Sequence, residues 1–420
     1  MNSDGWKKLR FAEILSVPLK NGLTKPTKVR GVGYKMVNMG ELFANSIIRE
    51  TDMERVPMTE SEFDNYLLES YDLLFARQSL TIEGAGKCSL FIGSSEPTTF
   101  EGHLIRARIN KVFAEPSYLY YYFNSNYGKD QIKSIVSVTA AAGIRGSDLA
   151  NLEILLPPLD TQRFIVDILS ALDDKIELNR QTNATLEALA QAIFKEWFVD
   201  FNYPGATGEM VDSELGPIPR GWRVGILSEV LSSIESGSRP KGGVGDLAEG
   251  IPSIGAENIN GLGFYDFSKE KFVSEEFFAK LKSGIVKSED VLLYKDGASL
   301  GRKTMFMDGF PHQICAINEH VFILRSNNLI NQLFLYFWLD QSYMTENIKS
   351  LNSNSAQPGI NQPAVRSLPI LIPEKTISEK FEQIVKPLLS KLFNDCKESY
   401  SLSLLRDKLL PKLMSGEIQI

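Results

Sequence analysis

Apolar positions between residues 165 and 197 recur at alternating intervals of four and three. They are Ile165, Leu169, Leu172, Ile176, Asn179, Asn183, Leu186, Ala190, Ile193 and Trp197. This unbroken heptad seam predicts one helix over about 162–198 whose apolar edge faces another helix. At 1.5 Å per residue such a helix is roughly 55 Å long. Asn179 and Asn183 stand inside the seam, where a buried amide costs stability but fixes register. A second apolar stripe runs from Ile377 to about Leu413 through Phe381, Val385, Leu389, Phe393, Cys396, Tyr400 and Leu409. Pro387 within it predicts a kink or a late start, and Pro411 predicts an end. If the stripes pair, the expected arrangement is antiparallel. Ile165, Leu169, Leu172, Ile176, Asn179, Asn183 and Leu186 would then face Leu389, Phe393 and Tyr400.

Outside these stripes the period falls to two. Short β-like runs alternate with Gly-rich loops: GYKMVNMG, YDLLFARQ, CSLFIG and HLIRARI, then IPSIGAEN, DVLLYKDG, KTMFM and HVFILRS. Each set is followed by one expected helix, about Pro116 to Lys133 and about Asn328 to Lys349. The two sets are copies. Gly5-Trp6 matches Gly221-Trp222, LYYYF (Leu119 to Phe123) matches LYFWL (Leu335 to Leu339), and LEILLPP (Leu152 to Pro158) matches LPILIPE (Leu368 to Glu374), all at an offset of 216. The expected class is α+β: two similar globular domains with mainly antiparallel strands, separated by a pair of long antiparallel helices in a coiled coil, with pseudo-two-fold internal repeat. The expected division is 1–157 (first domain), 158–200 (first helix), 201–221 (a Pro/Gly-rich linker), 222–373 (second domain) and 374–420 (second helix).

Composition adds exclusions. Hydrophobic residues make up 43% and charged residues 23% of 420, which excludes a disordered or collagenous chain. No apolar run approaches the length of about 18 residues needed to span a bilayer, and MNSDGWKKLRF lacks the apolar core of a signal peptide. Three scattered cysteines make no disulfide framework, which suits a reducing cytoplasm. The net charge of −7 argues against nucleic acid until it is located. Residues 1–155 carry 18 basic and 18 acidic side chains, and 216–374 carry 15 and 17, whereas 156–215 carry 4 and 11. One helical segment holds the imbalance, so either globular domain can present a basic face.

Catalytic signatures are missing. His312, Cys315 and His320 form too small a set for a metal, and three histidines offer no triad. EGAGKCS (Glu83 to Ser89) and DGASLGRKT (Asp296 to Thr304) lack the phosphate-loop spacing. No N-P-P-[YF] or D-P-P-Y tetrapeptide is present. What remains is three loops, repeated in both copies, rich in the side chains that clamp phosphates and read base edges. The first carries Arg77, Gln78, Ser79, Thr81 and Lys87, matched by Lys295, Arg302 and Lys303. The second carries Thr139 and Arg145, matched by Gln357 and Asn361. The third carries Lys20, Thr24 and Lys25, matched by Ser238, Arg239 and Lys241. The run Tyr120 to Phe123 could stack bases but reads better as core. Two similar, non-identical readers imply a divided DNA target with unlike halves.

LPPLDTQRFIVDILSALDDKIELNRQTNATLEALAQAIFKEWFVDF (Leu156 to Phe201) and SELGPIPRGW (Ser213 to Trp222) resemble the specificity subunits of type I restriction–modification systems. The resemblance covers essentially the whole chain. It implies that the globular domains are target-recognition domains for double-stranded DNA. It also implies a non-catalytic subunit that binds two modification subunits, forming an adenine-N6 methyltransferase, and restriction subunits that translocate and cleave. S-adenosylmethionine, ATP and Mg²⁺ would belong to those partners, with no cofactor or metal in this chain and no membrane contact. Two rival readings are a self-contained DNA methyltransferase with a divergent site and a scaffolding rod that does not bind DNA.

Overall fold

The computed structural model describes residues 5–138, 141–244, 247–352 and 359–418. Two compact units emerge, one built from residues 1–174 with 402–420 and the other from 175–401. The two long helices, Leu159–Phe198 and Lys375–Met414, each contribute one part to either unit.

In the first unit a five-stranded sheet runs in the order Lys20–Asn21, Leu104–Ala107, Asp72–Ala76, Cys88–Phe91, Ile47–Ile48. Its pairings are antiparallel except the last. Beside it Tyr34–Val37 pairs with Arg55–Val56 and with Thr98–Phe100. Lys7–Arg10 pairs antiparallel with Glu153–Leu156, tying the two ends of the domain together. The second unit repeats this plan: Leu231–Ser236, Val321–Ser326, Val291–Tyr294, Lys303–Met305 in one sheet, and Phe272–Val273, Ile251–Ile254, Ala316–Ile317 in the other. Its closing pair is Arg223–Ile226 with Pro369–Ile372, 216 residues after the first.

The duplication reaches individual atoms. Arg108 holds both oxygens of buried Asp72 at 2.9 and 2.8 Å and also bonds Glu69. Arg325 holds both oxygens of buried Asp290 at 2.6 Å and also bonds Glu235. A carboxylate taken from water survives in a core only when a partner with this forked geometry meets it. Gly22 and Gly237 are each pressed against a neighbouring backbone carbonyl, of Phe100 and of Ile317, so neither has room for a side chain.

Three expectations need correction. Each anticipated domain helix is two helices: Pro116–Asn124 then Asn126–Ser134, and Gln332–Asp340 then Ser342–Ser350. Ser125 breaks the first because it adopts extended backbone and its hydroxyl accepts from Gly128 N at 3.2 Å, capping the next helix. The late start expected from Pro387 does not occur, since the second long helix begins at Lys375 and passes through Pro387 and Pro411. Both prolines are exposed, and Pro387 lies on the side opposite buried Phe381, Val385, Leu389 and Phe393. Burial of those side chains, roughly 2 kcal/mol each, outweighs a proline cost of about 3 kcal/mol. Residues 201–221 are not a bare linker: Tyr203 stacks on Trp222 at 4.9 Å, and Met210–Val211 pairs with Ile218–Pro219.

The long helices pack together antiparallel within each unit. In the first, Ile165 and Leu169 share a core with Leu413 and Met414. In the second, Phe194 and Trp197 meet Phe381, while Asn179 near the other end donates to Glu398 Oε2 at 2.8 Å and Ser399 Oγ at 3.2 Å. Asn183 reaches Cys396 Sγ at 3.3 Å. Leu186, Leu389 and Phe393 belong to that core. Leu172 and Ile176 are half-buried, and Tyr400 lies face to face on Phe267 with ring centres 3.6 Å apart. The tyrosine run from Tyr118 to Tyr122 is buried throughout, as core.

Candidate nucleic-acid interface

Backbone pairing assembles a cationic site in the first unit. Arg77 leaves the central sheet with its N–H bonded to His103 O at 2.8 Å and its carbonyl accepting from Ile144 N at 3.0 Å. Gln78–Ser79 then pairs with Ala142–Gly143, which pairs with Ser137–Val138. This brings Arg145 to the Arg77 loop. The loop returns through Gly86, where any Cβ would collide with Ile132 of the helix Asn126–Ser134. That contact sets Lys87 near Lys129, and Lys133 follows one turn on. Five cations, Arg77, Lys87, Lys129, Lys133 and Arg145, are thereby gathered from three segments. None of them has an ion-pair partner among the described residues. Burial, and secondarily Lys129, lowers the Lys87 pKa, the response expected of a crowded ammonium. Lys87 Nζ also donates to Phe43 O at 2.8 Å.

The second unit repeats the scaffold with other side chains. Lys295 N–H bonds His320 O at 3.0 Å and its carbonyl accepts from Ile360 N at 3.0 Å. Gly301 packs on Ile348 and Lys349. The stations of the five cations are taken by Lys295, Arg302, Thr345, Lys349 and Asn361. Of these cations Lys349 has an ion-pair partner, Glu346 at 2.9 Å, and beside them His320 Nδ1 hydrogen-bonds Asp296 at 2.8 Å. Lys295 Nζ sits 5.0 Å over the Phe322 ring, and Arg302 is exposed. Asn361 Oδ1 is used to cap a helix, accepting from Ala364 N at 2.9 Å.

Lys303 is corrected as a DNA contact. It is 5% exposed, bonds Thr345 Oγ1 at 2.6 Å and lies 3.7 Å from Asp340. Its strand position faces Leu293, as Cys88 faces Phe75. Register therefore equates Lys303 with Cys88, and Arg302 with Lys87. Lys25 is corrected too: it is clamped by both oxygens of Glu62 at 2.8 Å, which fastens its loop to the helix Glu60–Tyr66. Ser79 Oγ and Thr81 Oγ1 are spent inside their own loop, accepting from Thr81 N and Gly84 N at 3.2 Å. Lys20 bonds Asn65 at 3.4 Å and covers the Tyr66 ring. Arg239 pairs with Glu319 at 2.9 Å. Gln78, Thr24, Ser238 and Lys241 are exposed. Thr139 and Gln357 lie outside the described residues.

Sequence reasoning missed Lys129, Lys133 and Lys349. Their signal was a repeated lysine at the same position of the same helix in both copies, Lys133 and Lys349, 216 apart. No helix among the described residues is long and apolar enough to cross a membrane. His312 and His320 engage different carboxylates, Glu270 and Asp296.

Comparison with known proteins gives a consistent picture. A family model described as the type I restriction modification DNA specificity domain matches residues 3–188 and again 219–398. The type I restriction enzyme MjaIX specificity subunit of Methanocaldococcus jannaschii is 29% identical over 333 residues, covering 78% of this chain and 74% of that protein. The putative MjaX specificity subunit of the same organism is 23% identical across 99% of this chain and 94% of its own. In fold, the chain is similar to the crystal structure of a type I restriction–modification S subunit from M. genitalium, with a TM-score of 0.62, 19% identity, and coverage of 97% and 96%.

Proposed function

The chain belongs to the type I restriction–modification DNA specificity family, and from that premise we propose that its two lobes read the unlike halves of a bipartite duplex target. Its function is that of a specificity subunit. The observation that carries the bipartite reading is the repeated cationic station: one scaffold, two sets of side chains, Arg77, Lys87, Lys129, Lys133 and Arg145 against Lys295, Arg302, Thr345, Lys349 and Asn361. Lysines and arginines at these stations bind phosphates and fix register, and that term is independent of sequence. The exposed neighbour Gln78 of the first lobe supplies base-edge discrimination there.

The chain acts in this reading without chemistry of its own. Two modification subunits bring S-adenosylmethionine and flip the target adenine. Restriction subunits bring ATP and Mg²⁺. The specificity subunit supplies address and orientation. Replacing residues 1–157 with those of a homologue is expected to change one half of the methylated sequence and leave the other intact. Methylation-sensitive sequencing reads the outcome, and a change in both halves would sink the modular assignment. The chain purified alone is expected not to transfer methyl groups to DNA; transfer would favour the self-contained enzyme.

A further inference from the structure

The loop after Arg77 holds an apolar side chain that nothing among the described residues covers. Leu80 is 99% exposed. Its backbone is nonetheless fixed. Gln78–Ser79 is laced to Ala142–Gly143, the Ser79 and Thr81 hydroxyls accept from Thr81 N and Gly84 N, and Gly84 sits so close to Ser79 that a Cβ would collide with it. The scaffold therefore presents Leu80 at one place. Gln78 is also exposed, with Ser79 between them half-buried. The strand ends at Ser79 and the chain bends at Leu80, so the bend sets Leu80 beside Gln78 at the exposed edge of the loop. The second lobe has no such device: its loop from Lys295 to Gly301 is three residues shorter than Arg77 to Gly86, and its leucine, Leu300, is 7% exposed.

We propose that Gln78 and Leu80 together read an A·T pair in the half-site of the first lobe. Gln78 bonds the adenine edge and Leu80 packs on the C5-methyl of thymine. This rests on the DNA-reading function above and specifies one of its determinants. In the major groove adenine offers N7 as acceptor and N6–H₂ as donor, which the Gln amide matches with both its ends, and thymine alone offers a methyl group. Arg77 and Arg145, unpaired beside the loop, anchor the flanking phosphates.

The test uses the chain in complex with its modification subunits, on the duplex that the complex methylates. Each thymine is replaced in turn by deoxyuridine, which removes only the methyl group. At one position in the first lobe's half-site the replacement is expected to weaken binding roughly three- to tenfold, the scale of one buried methyl. Leu80→Ala is expected to show that same loss on the thymine duplex and no further loss on deoxyuridine, with an unchanged melting temperature. Gln78→Ala is expected to relax the preference for adenine in the same pair. If deoxyuridine costs Leu80→Ala as much as it costs the parent, or the half-site holds no A·T pair, the assignment to Leu80 fails and DNA recognition stands. A complex with no sequence preference at all would overturn both.

Discussion

At one station where the long helices meet a globular domain, the two lobes solve the same packing problem in opposite ways. In the first lobe Asp173 bonds Arg406 at 2.7 Å and accepts from the Tyr121 hydroxyl at 2.8 Å. At the positions 216 residues away the second lobe places Leu389, Ala190 and Phe337, all in its apolar core. The scaffold thus tolerates either a charged trio or an apolar one. The charged solution costs desolvation and returns directional bonds that only matched partners can make. The apolar solution contributes area and little directionality. The cationic stations differ likewise: unpaired in the first lobe, partly neutralised in the second.

Breaking one member of the trio is the most damaging test. Asp173→Ala leaves the Tyr121 hydroxyl without its partner and Arg406 with Asp407 alone, and is expected to lower stability by about 2 kcal/mol. Leu389→Ala, its counterpart, should cost a similar 2 to 5 kcal/mol by opening a cavity. Urea denaturation would compare them. Importing the whole apolar trio, Tyr121→Phe with Asp173→Leu and Arg406→Ala, is expected to restore stability to within about 1 kcal/mol of the parent. A triple variant as unstable as Asp173→Ala would show that the stations are not equivalent. For binding, Lys129→Ala with Lys133→Ala should reduce the slope of log K against log salt by roughly 2, whereas Lys349→Ala should change it by less than about 1, because Glu346 already answers that charge. The smallest effect concerns Glu187 of the second lobe, whose pKa is raised by burial and then by Asp340. A carboxyl with a raised native pKa binds protons more tightly folded than unfolded, so stability falls as pH rises through that window. Glu187→Gln is therefore expected to raise the melting temperature by roughly 1–3 °C at pH 7 and to leave it unchanged near pH 4.

The long helices and the duplication were legible in the sequence because both are periodic: a heptad seam and a fixed offset survive without knowledge of tertiary contacts. The break at Ser125 was not, since a serine in a helical run betrays its capping role only when the chain around it turns. Lys303 was misread for a related reason. Loops of unequal length shift the offset from 218 at Asp72 and Asp290 to 215 at Gly86 and Gly301, so a fixed offset of 216 sets Lys303 against Lys87 where the strand demands a core residue. Lys129 escaped notice because an exposed helical lysine looks like any solvated face. Only Gly86 against Ile132 reveals which loop it serves.

The division of the helices between the units has a consequence for synthesis. Residues 175–401 are contiguous and can complete their core as soon as they leave the ribosome. The unit made first cannot, for its core includes Leu413 and Met414, which are translated only after residues 175–401. The nascent amino-terminal domain must wait, with Ile165 and Leu169 unsheltered, until the rest has been made, so the later-born lobe is the first to mature.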